Sequence, residues 1–230
     1  MKISEDNIIT ALKNSIVFKE LGENEIKDML NFINYRIQEY DKGETVAIEE
    51  DDCNSLGIVI NGKIEPQKIF PSGKAITIDR LEMGNAFGEA IIFSNVHKYP
   101  ATIVCIEKAA VMMISKNEML KLFSHNNKIL NNFIAVLSNK ILMLNRRVKT
   151  LSYQSIRQKI CSYLLYIYQN QKTKVIKLPI SRKEMAEYLG IPRPSLSREM
   201  INMQDEGLIE FDKNIIKIID VESLSDILSE

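Results

Sequence analysis

Leu130, Ile134, Leu137, Ile141, Leu144, Val148 and Leu151 follow one another at alternating intervals of four and three, a 3.5-residue average held over 22 residues. On a helix that interval draws one narrow apolar stripe, the seam along which two helices coil. One helix burying the stripe on its own domain would satisfy the same spacing. Lys140, Arg146, Arg147 and Lys149 stand off the stripe, and a wet face on each side of an apolar line favours a partner helix. The simplest partner is the same helix of a second copy, so the spacing predicts a homodimer.

Charge is distributed to match. The 230 residues carry 30 basic and 30 acidic side chains and no formal net charge, but residues 1–114 hold −6, 115–152 hold +6, 153–209 hold +4 and 210–230 hold −4. A local positive face is what a protein needs when one module meets nucleic acid. No apolar run approaches the ~20 residues that cross a bilayer. The first residues mix acids and bases where a secretory signal needs a continuous apolar segment, so a cytoplasmic protein is expected, without a membrane partner. Cys53, Cys105 and Cys161 form no CxxC pair, and His97 and His125 have no Glu or His at helical spacing. Neither a metal site nor a catalytic set is signalled.

Residues 4–34 read as two short helices about Gly22, with Ile26, Met29, Leu30 and Ile33 on one face. The period then changes. From about residue 35, short β-rich runs are punctuated at Gly43, Gly57, Gly62, Gly73, Gly84 and Gly88, the pattern of a small antiparallel barrel or roll. A last β-run, ATIVCIEKAAVMMIS, leads to Ser115, which with Glu118 reads as a capping box. The long seam helix follows, then a helix with Ile156, Ile160, Leu164 and Ile167 on its apolar side, and a short strand KVIKLPI.

Residues 180–209 hold two short helices around Gly190, a residue able to take the left-handed conformation that ends a helix. Met185, Ala186 and Leu189 on the first and Leu196, Met200 and Met203 on the second face inward, while Pro192 and Pro194 favour a helix start. The outward set on the second helix is Arg193, Ser195, Ser197 and Arg198. Such residues reach base edges and phosphates in a major groove. A hairpin about Asp212, Lys213 and Asn214 completes a winged helix. Arg182, Lys183 and Lys213 are the expected phosphate contacts, and Arg193 and Arg198 the expected readers of bases. A ligand-binding module whose winged helix meets another protein remains the alternative.

The order of barrel, pairing helix and winged helix resembles the Crp/Fnr family of bacterial transcription regulators over nearly the whole chain. EYDKGETV resembles the family's early barrel turn, GNAFGEAIIF its phosphate-binding cassette, and Arg193, Ser197 and Arg198 fit its recognition helix. The resemblance implies an α+β fold: a jelly-roll-like antiparallel barrel with N-terminal helices that senses an effector (1–114), a dimerisation helix (115–152) and a winged helix-turn-helix that binds DNA (153–230). It implies effector contacts at Gly88, Glu89, Tyr99, Pro100, Leu144 and Asn145.

The departures are informative. Where members that bind cyclic AMP place an Arg-Ser pair, this chain has Tyr99 and Pro100, and where they reach adenine with hydroxyls it has Leu144 and Asn145. A phosphodiester without its cation loses a bond worth ~1.5–3 kcal/mol. Pro194 stands where the best-known readers have a glutamate, so their half-site is not transferable. The expectation is a non-enzymatic, sequence-specific regulator without a resident cofactor. It would bind a pseudo-palindromic duplex as a homodimer under a small-molecule or redox signal other than cyclic AMP, and meet RNA polymerase if it activates.

Overall fold

The computed structural model describes residues 3–70, 72 and 75–229, so Gly73 lies outside the described residues. The chain divides into two compact units, residues 1–139 and 140–230, with the division inside the long helix.

The first unit opens with α1 (Glu5–Asn14), a 3-10 turn (Ile16–Phe18) and α2 (Glu23–Phe32). Ser4 caps α1 by accepting from the Asn7 amide, and Ile26, Met29, Leu30 and Ile33 are buried as their spacing requires. Strands β1 (Arg36–Tyr40), β2 (Thr45–Ala47), β3 (Ser55–Ile69), β4 (Ala75–Thr77), β5 (Ala86–Phe87) and β6 (Thr102–Ser115) form one antiparallel sheet. The long strands β3 and β6 pair from Ser55 opposite Ser115 to Gln67 opposite Thr102, with three register shifts between Val59 and Ile64. Short strands flank them: β1 and β2 on β6, β4 and β5 on β3. Bulges bend and twist a strand, and two apolar clusters fill the unit, one beneath the helices and one within the sheet.

The helical stretch after β6 is not continuous. α3 (Lys116–His125) ends at Asn126, whose φ −137° and ψ 104° are extended, and α4 runs Asn127–Ser152. Ser115 accepts from the Glu118 amide, but the reciprocal half of the expected capping box is diverted: Glu118 accepts from the Asn34 amide at 3.1 Å and from Lys121 at 2.7 Å. About a quarter of a turn from the sequence seam, Ile129, Phe133 and Val136 are buried in the first unit's core. Phe133 meets the Phe93 and Phe123 rings at 5.5 and 5.0 Å between centroids.

The second unit contains α5 (Ile156–Gln171), β7 (Val175–Lys177), α6 (Arg182–Leu189), α7 (Arg193–Asp205), β8 (Ile209–Asp212), β9 (Ile215–Ile218) and α8 (Val221–Asp226), with strand order β7-β9-β8. Its core joins Ile160, Leu164 and Ile167 of α5 to Met185, Ala186 and Leu189 of α6 and Leu196, Met200 and Met203 of α7. Gly190 ends α6 at φ 64°, where a side chain would be strained.

Candidate nucleic-acid interface and barrel interior

The second helix of the pair, α7, begins at Arg193, with Pro192 as its N-cap and Pro194 in its first turn. Its inner face is fully spent on the core, since Leu196, Met200 and Met203 are buried. Arg193, Ser197 and Arg198 are exposed and Ser195 is half-buried. Ahead of it, α6 is locked at its start by a complete capping box: Ser181 accepts from the Glu184 amide at 3.2 Å, and Glu184 accepts from the Ser181 amide at 2.7 Å. That bond holds the Glu184 carboxyl below the usual range.

The three expected phosphate contacts differ. Lys183 is exposed, 4.0 Å from Glu187. Lys213 is exposed at the tip of the wing, at φ 50°. Arg182 is engaged within its own unit: Nη2 donates to the Lys213 carbonyl at 3.1 Å, Nη1 meets Met200 Sδ, and the guanidinium lies 4.9 Å from the Phe211 ring centroid. Burial lowers its pKa from the ordinary arginine value.

Of the seven seam residues, Ile134, Ile141, Leu144, Val148 and Leu151 are exposed, from 44 to 67%, and Leu130 and Leu137 are half-buried. Arg146 stacks 3.5 Å from the Tyr166 ring centroid, and Arg147 lies 5.6 Å from that of Tyr188. Both arginines off the stripe are therefore held on aromatic faces of the second unit, and five of the seven stripe residues are exposed.

Of the six residues expected around an effector, three, Gly88, Glu89 and Tyr99, lie near Cys53 within the first unit. Gly88, at φ 83°, places a hypothetical Cβ 2.9 Å from the Ser55 carbonyl and 3.1 Å from Cys53 Sγ, so no larger residue fits. Glu89 is buried. Tyr99 is buried; burial first, then the neighbouring Cys53 thiol, pushes its hydroxyl well above the ordinary phenol range. Pro100 is exposed. Tyr40, Val59, Ile64, Leu81, Phe87, Ile103 and Val111 complete this cluster, so aromatic and aliphatic side chains occupy the space about Tyr99. Leu144 and Asn145 are exposed on α4, in the second unit. All three cysteines are buried. Burial raises the pKa of each, that of Cys161 to about 12, the reverse of what a reactive thiol needs. Among the described residues no three of His, Cys, Asp or Glu cluster as metal ligands do.

Two domain families match the chain: the cyclic nucleotide-binding domain over residues 37–126 and the Crp-like helix-turn-helix domain over residues 158–227. The chain belongs to the Crp/Fnr family of transcription regulators. It is 21% identical to the global nitrogen regulator of Synechococcus elongatus over 98% of both chains. It is also 21% identical to the cyclic AMP receptor protein of Thermus thermophilus, over 94% of this chain and 98% of that one. The solved Thermus thermophilus catabolite activator protein shares the fold at TM-score 0.55 and 20% identity, covering 94% of this chain and 99% of that one. As a Crp/Fnr regulator the protein is a non-enzymatic DNA-binding transcription factor. No helix among its described residues is long and apolar enough to cross a membrane.

Two features of this Crp/Fnr chain escaped the sequence reading. Arg157, on α5, meets Glu199 on α7 at 2.5 Å and Glu206 at 2.6 Å; pairs 42 and 49 residues apart leave no local pattern. Cys53 lies beside Gly88 and Tyr99, but its position in sequence marks only a small buried side chain.

Proposed function

We propose that this Crp/Fnr regulator binds a pseudo-palindromic duplex as a homodimer paired through α4, with two α7 helices in successive major grooves ~34 Å apart. The observation that carries this reading is the exposed pair Arg193 and Arg198 on a helix whose opposite face is wholly buried. Arg198 is the candidate guanine reader, with Ser195 and Ser197 beside it; Lys183 and Lys213 supply salt-sensitive phosphate contact. The five exposed stripe residues from Ile134 to Leu151 support pairing, because exposed apolar rows are costly in water. The divisions at 114/115 and 152/153 describe these roles: sensing, pairing and reading.

The signal is a small molecule or redox event other than cyclic AMP. Buried Tyr99 beside Gly88 and Glu89 occupies the place where a cyclic phosphate would need a cation, and buried thiols of raised pKa favour the small molecule over direct thiol oxidation. Cytoplasmic location and, for an activator, contact with RNA polymerase belong to the same reading.

Selection of duplexes from a random pool by the full-length protein tests it. Arg198→Ala should cost about 1–3 kcal/mol on the selected duplex and much less on a scrambled one. Equal loss on both would make Arg198 a phosphate contact and remove it from base reading.

A further inference from the structure

Arg182 has the residue type of a phosphate contact, but its guanidinium is engaged within its own unit. It is the first residue of α6. One terminal nitrogen donates to the Lys213 carbonyl, the other meets Met200 of α7, and the guanidinium packs against Phe211 of β8. One side chain thus touches the first helix, the reading helix and the wing. Lys213, whose carbonyl is held, sits in the left-handed region that an L side chain adopts only at a cost in strain. Its own ammonium is exposed and has no ion-pair partner among the described residues.

We propose that Arg182 is a positioning residue that fixes the wing turn against the helix-turn-helix and so places Lys213 on the duplex, rather than a phosphate contact itself. The fork geometry matters here: a planar guanidinium can stack and donate at its edge at once, whereas a lysine ammonium at the same place cannot. This inference rests on the DNA-binding reading above.

The test uses the full-length protein and a duplex selected from a random pool, with the slope of log affinity against log salt as readout, well below the unfolding temperature of each variant. Lys213→Ala should reduce the slope by about one. Arg182→Lys keeps the charge but loses the fork, and should reduce the slope as Lys213→Ala does; added to Lys213→Ala, it should reduce the slope no further. An unchanged slope in Arg182→Lys would overturn the proposal. So would a combined Arg182→Ala and Lys213→Ala protein whose slope falls by about two, since that result counts two separate phosphate contacts.

A second measurement needs no DNA. In the free protein, Arg182→Lys should shift the amide resonances of Phe211, Lys213 and Asn214, and unmoved wing resonances sink the idea whether or not any duplex binds. Failure of the wild-type protein to bind duplex in a salt-dependent way would instead strike the DNA-binding reading.

Discussion

Arg157 closes on Glu206 with both terminal guanidinium nitrogens at 2.6 Å while its Nε reaches Glu199 at 2.5 Å. Glu199 lies within α7 and Glu206 is its C-cap, so one side chain of α5 pins the latter half of the reading helix. The bonds raise the Arg157 pKa and hold the Glu206 carboxyl below its usual range. Arg157→Ala leaves Glu199, only 20% exposed, without its cation, and should cost about 1–3 kcal/mol in urea unfolding. A depressed carboxyl contributes stability above its unfolded pKa and loses it as pH falls through the folded value. The acid limb of the unfolding curve should therefore be shallower in the variant.

Alkaline pH acts on the same unit through its buried acids. Burial raises the pKa of Cys161 from 9.0 and of Tyr163 from 10.0, each to about 12. Between the ordinary and raised values the unfolded chain has already lost protons that the folded one keeps, so stability falls with rising pH, by about 1.4 kcal/mol per unit for each group. Cys161→Ala should delay the onset of that decline from near pH 9 to near pH 10, as read by denaturant midpoints across the range.

Pairing through α4 is open to a charge test. Ile141 and Val148 are 58 and 67% exposed, so Ile141→Glu with Val148→Glu should leave each chain folded. Burying one aliphatic side chain is worth about 1.5–3 kcal/mol, and the doubly charged seam should weaken dimerisation by at least a hundredfold, as measured by sedimentation equilibrium. An unchanged association constant would remove the seam from the interface.

Tyr99 separates packing from hydrogen bonding. Tyr99→Phe removes only the buried hydroxyl beside Cys53 and should cost about 1 kcal/mol, whereas Tyr99→Ala leaves a cavity and should cost about 3–5 kcal/mol, both by urea unfolding. Cyclic AMP should change neither the melting temperature nor the DNA affinity of the wild-type protein.

Elements whose signals are local were readable in the sequence. Gly190 between two helices, the inward triads of α6 and α7, and the turn at Asp212, Lys213 and Asn214 all take the forms their residues dictate. The seam residues occupy the exposed side of α4 because a second row, Ile129, Phe133 and Val136, carries the contact with the first unit's core. That row is too short to stand out against the longer heptad. The break at Asn126 was hidden because no proline or glycine marks it; the extended backbone there starts a new helix, with Asn126 Oδ1 accepting from the Lys128 amide at 2.9 Å. Arg182 shows the limit most plainly. Residue type suggests a role in solvent, but partners 18 and 31 residues away decide where a guanidinium spends its donors.

If the chain pairs through the aliphatic row of α4 as proposed, its abundance becomes an input to regulation. Where protomers are scarcer than their pairing constant, occupancy of a two-half-site duplex rises with the square of the amount of chain, by mass action. Halving synthesis then quarters the response, a steepness obtained without any change in the sensing unit.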